Sequence, residues 1–228
     1  MQITLDHKVF PHALGKVVCV GRNYAAHAKE LNNPIPSSPI LFIKPASSAV
    51  PFAPSFVIPV GKGGVHHELE IAILVGKPLI DASEQQVLES IAGVGLALDL
   101  TLRDVQDELK EKGHPWERAK SFDGACPLTD FVSIEPGKIT SEQPLTLRLE
   151  KNGAVQQQGS SAEMLFSIAP LIAHMSTHFS LQAGDVILTG TPAGVGPLFA
   201  GEQLTAELSF LGNVLLSTHT NEFLRIVW

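Results

Sequence analysis

Three carboxylates stand in two otherwise apolar stretches of the chain. Glu68 and Glu70 lie at the head of HHELEIAILVG, and Asp99 lies within GLALDLTL, which holds no other charge. A carboxylate buried without a partner costs on the order of several kcal/mol. Oxygen ligands of this kind suit a hard divalent cation, so the residues predict a site for Mg²⁺ or Mn²⁺, with Ca²⁺ as an alternative occupant. An edge strand whose glutamates face water is the other interpretation, and Asp99 favours the metal site.

The order of residues around the two glutamates predicts which side chains share a face. Residues two apart on an extended strand project to the same side, so His66 should accompany Glu68 and Glu70 while His67 faces away. The zinc motif HExxH is absent, and adjacent residues on a strand point in opposite directions. We therefore expect one histidine to form a hydrogen bond near the site rather than to bind metal.

Polar residues that follow Asp99 form a second candidate group. Arg103, Gln106 and Lys110 fall on one face of a predicted helix, and the first two could hold a substrate carboxylate near the metal. A solvated helix face is the alternative. Lys120, in WERAKSFDGACP, could stabilise negative charge on oxygen or donate a proton, and a surface lysine is the alternative there.

A glycine-rich segment, LTGTPAGVGP (188–197), lies near the other end of the chain. No GK[ST] follows and no helix begins there, so it is not a phosphate-binding P-loop. A tight turn explains the glycines, while backbone amides and Thr191 could line a pocket for an anionic substrate.

The two cysteines, Cys19 and Cys126, lie far apart and form no CxxC pair. Free cysteine is among the most buried residue types, so both are predicted to be small core residues. A metal-free hydrolase with Cys126 as nucleophile and His114 or His174 as base is a separate hypothesis.

Composition limits the class of protein. The 228 residues are 44% hydrophobic and 17% charged, with a formal net charge of −7, which is ordinary for a globular protein with a sizeable core. The sequence has no basic stripe of the kind that indicates nucleic-acid binding. No stretch has the ~20 apolar residues of a membrane-spanning helix, and the N-terminus resembles no targeting segment. We expect a cytoplasmic protein that binds a small molecule and that binds neither a nucleic acid nor a membrane.

The elements that must position these residues follow from local patterns. Strands are predicted at 16–20, 40–44, 68–76 and 95–102, in a hairpin around Asn152-Gly153 at 146–159, and at 185–190, 203–210 and 214–219. Helices are predicted at 83–93 after a Ser83 cap, at 103–113, and from Met164 to Phe179 after a Ser160/Glu163 capping box. Residues 22–33 have helical character and are followed by a proline-rich segment, which is typical of a lid or binding loop.

Strands outnumber helices, which predicts a mixed, mainly β fold with a few covering helices rather than alternating βαβ units. We expect one catalytic domain over 1–228. Its first part, about 1–60, would hold an N-terminal strand, a lid segment and the proline-rich loop. The rest, about 61–228, would form the metal-binding β core.

Four blocks in this order resemble the fumarylacetoacetate hydrolase family, specifically its short single-domain acylpyruvase-like branch. They are GRNYAAHAKE (21–30), HHELEIAILVG (66–76), ALDLTLRDVQ (97–106) with the following WERAKSFDGACP, and DVILTGTPAGVGP (185–197). The resemblance covers nearly the whole chain. It implies a β-sandwich roll with a barrel-like mixed core, a Mg²⁺ or Mn²⁺ site and a homodimer.

The resemblance also assigns roles to residues. The metal ligands would be Glu68, Glu70 and Asp99, and the catalytic residues would be Lys120 and a lid pair, His27 and Glu30, that orients the attacking water. The remaining positions would contact the substrate: Arg22, Asn23, Tyr24, Arg103, Gln106, Gly190 and Thr191.

The implied activity is hydrolysis of a C–C bond in acylpyruvates such as acetylpyruvate or fumarylpyruvate, giving pyruvate and a carboxylic acid. We expect a chain without the longer members' extra N-terminal domain and additional upstream carboxylate ligand, which favours small 2-oxo acids over fumarylacetoacetate. Oxaloacetate decarboxylase and oxaloacetate keto–enol tautomerase are alternatives that use the same residues. A non-catalytic, cation-dependent binding module is a more distant one.

Overall fold

The computed structural model describes residues 1–135, 137–140, 142–220 and 224–227. Over these ranges the chain is mainly β, as the sequence predicts. The strands are β1 (Thr4–Leu5), β2 (Lys8–Val9), β3 (Val17–Gly21), β4 (Ile40–Lys44), β5 (Ala49–Pro51), β6 (Val57–Val60), β7 (Val65–His67), β8 (Leu69–Val75), β9 (Ile91–Leu98), β10 (Thr101–Leu102), β11 (Cys126–Leu128), β12 (Leu145–Lys151), β13 (Ala154–Ser160), β14 (Val186–Leu188), β15 (Gly196–Pro197), β16 (Leu204–Phe210), β17 (Asn213–His219) and β18 (Leu224–Val227).

Helices make up a smaller share of the chain than strands do, and they lie in the connections between strands. The α-helices are α1 (Ala25–Glu30), α2 (Glu84–Ser90), α3 (Arg103–Glu111), α4 (Glu117–Lys120) and α5 (Ile168–His178), and 3-10 turns occur at Ala46–Ser48 and Ser161–Glu163. No helix within the described ranges is long and apolar enough to cross a membrane.

A seven-stranded sheet, in the order β4-β3-β14-β8-β9-β11-β5, forms the centre of the molecule. Its neighbours are antiparallel except for β14 with β3 and β11 with β5, which run parallel. This sheet curls into a half barrel. A four-stranded antiparallel sheet, in the order β13-β12-β16-β17, lies beside it.

Strand β8 is buried on both faces, which explains why Ile71 to Val75 contains no polar side chain. Leu69, Ile71 and Ile73 belong to the large core shared with the four-stranded sheet. Ala72 and Leu74 belong to a smaller core on the other face, together with both cysteines. By alternation Glu70 lies on this second face, at the end of the strand where the smaller core opens.

The predicted strand at 95–102 is interrupted, and the predicted strand at 68–76 is preceded by a break at its first residue; the sequence predicted neither break. One break falls at Glu68, between β7 and β8, and the other at Asp99, between β9 and β10. The breaks lie side by side, since Asp99 N donates to Glu68 O at 2.8 Å. Strand β7 then leaves the large sheet and pairs with β10 and β15. The expectation that His66 continues one straight strand with Glu70 is therefore wrong.

Turn and capping residues in the sequence predicted several of the other elements. Asn152 and Gly153, with φ of 53° and 78°, join β12 to β13 as the predicted hairpin, because both positions favour residues that tolerate the left-handed region. Ser83 caps α2 in a capping box with Gln86, although α2 ends at Ser90 where β9 begins. The Ser160/Glu163 box caps only a 3-10 turn, and α5 begins later, at Ile168, so the predicted helix start at Met164 is wrong.

Candidate active site

A single pocket gathers most of the side chains to which the sequence assigned chemistry. Its described lining consists of Val20, Gly21, Arg22, His27, Leu31, Asn33, Phe42, Glu68, Glu70, Asp99, Arg103, Gln106, Lys110, Trp116, Lys120 and Thr191. The floor is acidic: one carboxylate oxygen each from Glu68, Glu70 and Asp99 lies within 4.8 Å of the others, and all three side chains are buried. The two strand breaks place Glu68 and Asp99 side by side, and Glu70 reaches the same floor from within β8.

Lys120 occupies the centre of this floor. Its Nζ donates to Glu68 Oε2 at 2.7 Å, to Asp99 Oδ2 at 2.6 Å and to Thr101 Oγ1 at 2.7 Å. Burial by itself would lower the pKa of Lys120, but the two carboxylates outweigh it and raise the pKa above its ordinary value. Lys120 is thus a charged hydrogen-bond donor around neutral pH, which suits stabilisation of negative charge on a substrate oxygen.

A second lysine, Lys44 at the end of β4, supports the floor from beneath. It is fully buried, its Nζ lies 2.7 Å from Asp99 Oδ1, and it donates to the backbone carbonyls of Lys120 and Ala125. Lys44 was not among the residues that the sequence predicted to lie at the site. Its one signal was a lysine that ends the apolar run ILFIK before a proline, an arrangement equally typical of a surface residue.

Glu68 and Glu70 differ in their electrostatic surroundings. Burial would raise the pKa of Glu68, yet Lys120 and Arg103 together hold it well below its ordinary value. Among the described residues, the hydrogen-bond donor to Glu70 is a backbone group, Gly190 N, at 2.6 Å from Oε2. Burial first and the neighbouring Asp99 second raise the pKa of Glu70 well above its ordinary value.

This arrangement fits a divalent cation. The group is buried and offers oxygen ligands alone, which is the hard donor set that Mg²⁺ and Mn²⁺ prefer. One of its carboxylates is neutralised by no described side-chain cation. The carboxylate that stands out is Glu70, since lysine or arginine side chains contact both of the others. The structure therefore brings the predicted ligands together, and their role as metal ligands stays a prediction.

Arg103 and Gln106 lie on the first two turns of α3. Arg103 Nη1 donates to Gln106 Oε1 at 2.7 Å, and its Nη2 forms an ion pair with Glu68 Oε1. The helix therefore places both side chains in the pocket, as the spacing predicted. Arg103 is at the same time a structural partner of the carboxylate floor, which the sequence did not indicate.

The lid pair lies on α1. His27 Nδ1 is 3.3 Å from Glu30 Oε2, and only 5% of His27 is exposed. Glu30 in turn accepts from the backbone N of Gly194, at 3.0 and 3.2 Å, which ties α1 to the glycine-rich segment. With Nδ1 directed at Glu30, Nε2 is the imidazole nitrogen available to a molecule in the pocket.

Thr191 and Gln157 form a buried connection at the head of β8. Thr191 Oγ1 donates to Leu69 O at 2.8 Å and accepts from Gln157 Nε2 at 2.7 Å. Gln157 Oε1 accepts from Leu69 N and from His67 Nδ1, both at 2.9 Å. The expected hydrogen-bonding histidine is thus His67, and burial lowers its pKa, which keeps the imidazole neutral.

Three residues predicted to contact the substrate lie outside the described pocket lining. The Asn23 amide donates to Phe166 O and Thr189 O, at 2.9 and 2.8 Å, and so fastens the start of α1 to the body. Tyr24 is buried with no described partner for its hydroxyl, and Gly190 acts through the backbone N–H that binds Glu70. Their proposed substrate contacts stay predictions.

Two aromatic side chains that the sequence analysis missed close one wall of the pocket. Phe42 and Trp116 meet edge to face, with ring centroids 5.8 Å apart, and the Lys120 ammonium lies 5.4 Å from the Phe42 ring centroid. This wall limits the access of water to Lys120. No pattern in the sequence distinguished these two from core aromatics.

The thiol hypothesis finds no support in the structure. Cys19 and Cys126 are both free and buried, as predicted for core residues. Burial raises the pKa of Cys126 to about 12, so the thiol is protonated around neutral pH and is a poor nucleophile. Neither cysteine lines the pocket.

The half barrel carries a buried acidic floor that could hold a divalent cation, and comparison with known proteins identifies the family. The profile of the fumarylacetoacetate (FAA) hydrolase C-terminal domain matches residues 16–217. The chain belongs to the fumarylacetoacetate hydrolase family, as the motifs indicated.

Among the characterised relatives to which the chain is similar are two oxaloacetate tautomerases. The chain is 51% identical over 195 residues to the oxaloacetate tautomerase YcgM of Escherichia coli K12, which covers 85% of this chain and 88% of that protein. It is 40% identical over 207 residues to the human mitochondrial oxaloacetate tautomerase FAHD1, which covers 91% of this chain and 93% of that protein.

Solved structures share the fold. A protein from Oleispira antarctica, provisionally named a fumarylacetoacetate isomerase/hydrolase, is 70% identical with a TM-score of 0.96, covering 98% of this chain and all of that one. Fumarylpyruvate hydrolase from Pseudomonas aeruginosa, solved with Mn²⁺ and pyruvate, is 29% identical with a TM-score of 0.85, covering 100% of this chain and 96% of that one. The expected family fold is thereby confirmed.

Proposed function

We propose that this protein is an oxaloacetate keto–enol tautomerase. The observation that carries the proposal is the 51% identity to a curated oxaloacetate tautomerase over 85% of the chain, joined to a pocket that can both move a proton and stabilise an oxyanion. The comparisons support this alternative better than the acylpyruvate hydrolysis that the sequence analysis put first.

Glu68, Glu70 and Asp99 would hold a divalent cation, with Mg²⁺ or Mn²⁺ as the proposed ion. When bound, such a cation acts as a Lewis acid that draws electron density from the 2-oxo group and makes the adjacent C–H bond more acidic. The Mn²⁺ in the fumarylpyruvate hydrolase structure supports the choice of ion class.

Tautomerisation moves one proton between C3 and the C2 oxygen of oxaloacetate. On the way to the enol, His27 Nε2 takes the proton from C3 and the imidazolium then gives it to the oxygen at C2; the reverse reaction takes the proton from that oxygen and returns it to C3. Glu30 orients the ring through Nδ1. Lys120 stays charged because of its carboxylate neighbours. Its three N–H groups are engaged by Glu68, Asp99 and Thr101, so it stabilises the negative charge that develops on the oxygen at C2 electrostatically. Phe42 and Trp116 exclude water on that side.

A second candidate is hydrolysis of acylpyruvates, and one observation favours it. The same His27–Glu30 pair could remove a proton from water, and the fumarylpyruvate hydrolase structure covers the whole chain. For that reaction a water molecule must fit between the imidazole and the distal carbonyl of the substrate, whereas the tautomerase needs no water.

The test is one assay series on Mg²⁺-loaded protein. Disappearance of enol-oxaloacetate absorbance, corrected for the spontaneous rate, measures tautomerisation, and coupled pyruvate detection measures decarboxylation of oxaloacetate and hydrolysis of acetylpyruvate and fumarylpyruvate. We expect the enol decay to have the highest kcat/KM. A larger value for either acylpyruvate would assign the protein to the hydrolases instead, and metal-independent activity would contradict both.

A further inference from the structure

Two cations stand at the outer part of the pocket without a strong counter-ion. Arg22 follows β3, Lys110 lies on the third turn of α3, and both line the pocket from opposite elements. Within the described part of the chain no hydrogen bond or ion pair of the Arg22 side chain is found, and the nearest acid to Lys110 is Asp107, whose exposed carboxylate lies 3.7 Å away.

The pair is close enough to interact electrostatically. Burial lowers the pKa of Lys110, and the charges of Arg103 and Arg22 lower it further against the opposing effect of Asp107. Two like charges that face one space disfavour each other unless an anion lies between them. Apart from the exposed Asp107, the described residues supply no anionic partner to this pair, so the arrangement favours an anionic ligand between the two.

The deeper cations of the pocket are already engaged. Arg103 and Lys120 both bind Glu68, and Lys120 also binds Asp99, so neither has the freedom of the outer pair. Three carboxylates and four lysine or arginine side chains line the pocket, and a divalent ion on the floor would increase the positive excess. An occupant with two negative charges is electrostatically favoured over one with a single charge.

The geometry of α3 sets the distance between the two ends. Arg103, Gln106 and Lys110 lie on one face, and seven residues of helix separate the Cα atoms of the first and last by about 10 Å. Long helical side chains lean towards the N-terminus, which brings the Lys110 ammonium back towards Gln106. The distance left between the acidic floor and the Lys110 ammonium suits a short dicarboxylate, with one carboxylate at the floor and the other at the mouth of the pocket.

We propose that Arg22 and Lys110 bind the second, distal carboxylate of the substrate and so select 2-oxo dicarboxylates over 2-oxo monocarboxylates. The assignment of the reaction rests on the proposed function, while the selection for two carboxylates rests on the pocket. Arg22 has a left-handed backbone, with φ of 60°, a conformation that disfavours an arginine relative to a glycine. A side chain kept there is consistent with a role in the pocket.

Two substrate pairs test the proposal on Mg²⁺-loaded protein. Calorimetric titration compares malate with lactate, which do not tautomerise and differ by the distal carboxylate, and the enol-decay assay compares oxaloacetate with its 4-methyl ester. We expect wild type to bind malate at least about tenfold tighter than lactate, as one charge-assisted contact would give. Arg22→Gln and Lys110→Met should each reduce that preference severalfold and raise KM for oxaloacetate, with KM for the ester nearly unchanged.

Matched variants outside the pocket serve as controls. Arg118→Gln and Lys112→Met remove the same charges from exposed positions on neighbouring elements and should leave the malate preference intact. Arg22→Gly removes the side chain while retaining a residue that adopts the left-handed backbone freely, and it replaces Arg22→Gln if that variant folds poorly.

The outcomes separate this proposal from the proposed function. Equal binding of malate and lactate by wild type, or an undiminished preference in both pocket variants, would overturn the role of Arg22 and Lys110 even if oxaloacetate is a good substrate. A malate preference that falls in both variants would support it even if oxaloacetate is not turned over, in which case the proposed function alone would fail.

Discussion

The Nζ atom of Lys44 lies 2.7 Å from Oδ1 of Asp99, and both side chains are almost completely removed from water. Asp99 is thereby held between two lysines, since its other oxygen accepts from Lys120 at 2.6 Å. One of these lysines reaches the pocket and the other does not. Lys44 consequently fixes the position of a carboxylate that Lys120 contacts at the floor of the pocket.

Loss of Lys44 should destabilise the fold. Lys44→Met leaves Asp99 with one cation fewer and removes a donor from two buried carbonyls, and breaking a buried pair from one side costs about 3–5 kcal/mol. Urea unfolding of the metal-free protein measures the change. Lys112→Met, which breaks an exposed pair with Glu108, is the control and should cost less than about 1 kcal/mol. Equal losses in the two variants would contradict a structural role for Lys44.

Metal affinity should fall as the pH is lowered. The raised pKa of Glu70 means that the metal-free folded protein retains a proton at pH values where the unfolded chain has lost it, so the stability contributed by this group decreases as pH rises through that window. A cation must displace this proton. Calorimetry of Mg²⁺ binding in buffers of different ionisation enthalpy should therefore detect proton release, and the release should disappear in Glu70→Gln together with most of the affinity.

Which side chain releases the displaced proton can be tested separately. Asp104→Asn changes a carboxylate that accepts from Gly64 N near the pocket but does not belong to the acidic floor, so this variant should bind Mg²⁺ with the wild-type proton release. Proton release that persists in Glu70→Gln would assign the titration to another group.

His27 should be needed for the chemistry and not for the metal. His27→Asn is expected to lower kcat for enol decay by about 10²–10⁴-fold, the usual contribution of a general base, with Mg²⁺ affinity unchanged. Glu30→Gln should have a smaller effect of the same sign, because it weakens the orientation of the ring. His7→Asn, at an exposed position with positive φ, is the control. A kcat in His27→Asn within a few-fold of wild type would exclude this residue as the proton carrier.

The floor of the site could be predicted because burial makes a lone carboxylate conspicuous. Glu68, Glu70 and Asp99 stood out as charges within apolar runs, and the helical spacing of Arg103 and Gln106 placed them correctly. Short-range chemistry also gave the Asn152-Gly153 hairpin and the Ser83 cap. These signals act over a few residues and need no knowledge of the fold.

The supporting residues could not be predicted because their partners are distant in sequence. Lys44 contacts Lys120, 76 positions away, and His67 contacts Gln157, 90 positions away, so only the topology of the sheets brings them together. The breaks at Glu68 and Asp99 have the same origin, since the flanking residues favour an uninterrupted strand. The cytoplasmic location, the homodimer and the division of the chain at about residue 60 stay predictions.

Gln157 offers a test of how far such a distant residue controls the site. Its amide uses all of its hydrogen-bonding groups, with two donations and two acceptances by a side chain that is 1% exposed. Gln157→Leu would leave the Leu69 N–H without its side-chain acceptor. The carbonyl of Pro192 would lose its 3.0 Å donor and keep a long contact, 3.5 Å, from Thr191 Oγ1. Each unsatisfied buried group costs about 1–3 kcal/mol.

We therefore expect Gln157→Leu to lower the free energy of unfolding by at least about 2 kcal/mol and to loosen Thr191, which raises KM for oxaloacetate. The neighbouring Gln158 projects outward and is exposed, so Gln158→Leu is a control matched in chemistry and strand position. Thermal unfolding and steady-state kinetics of the two variants give the comparison. If Gln157→Leu matches Gln158→Leu in both measurements, the connection from His67 to Thr191 does not hold the head of β8 in place.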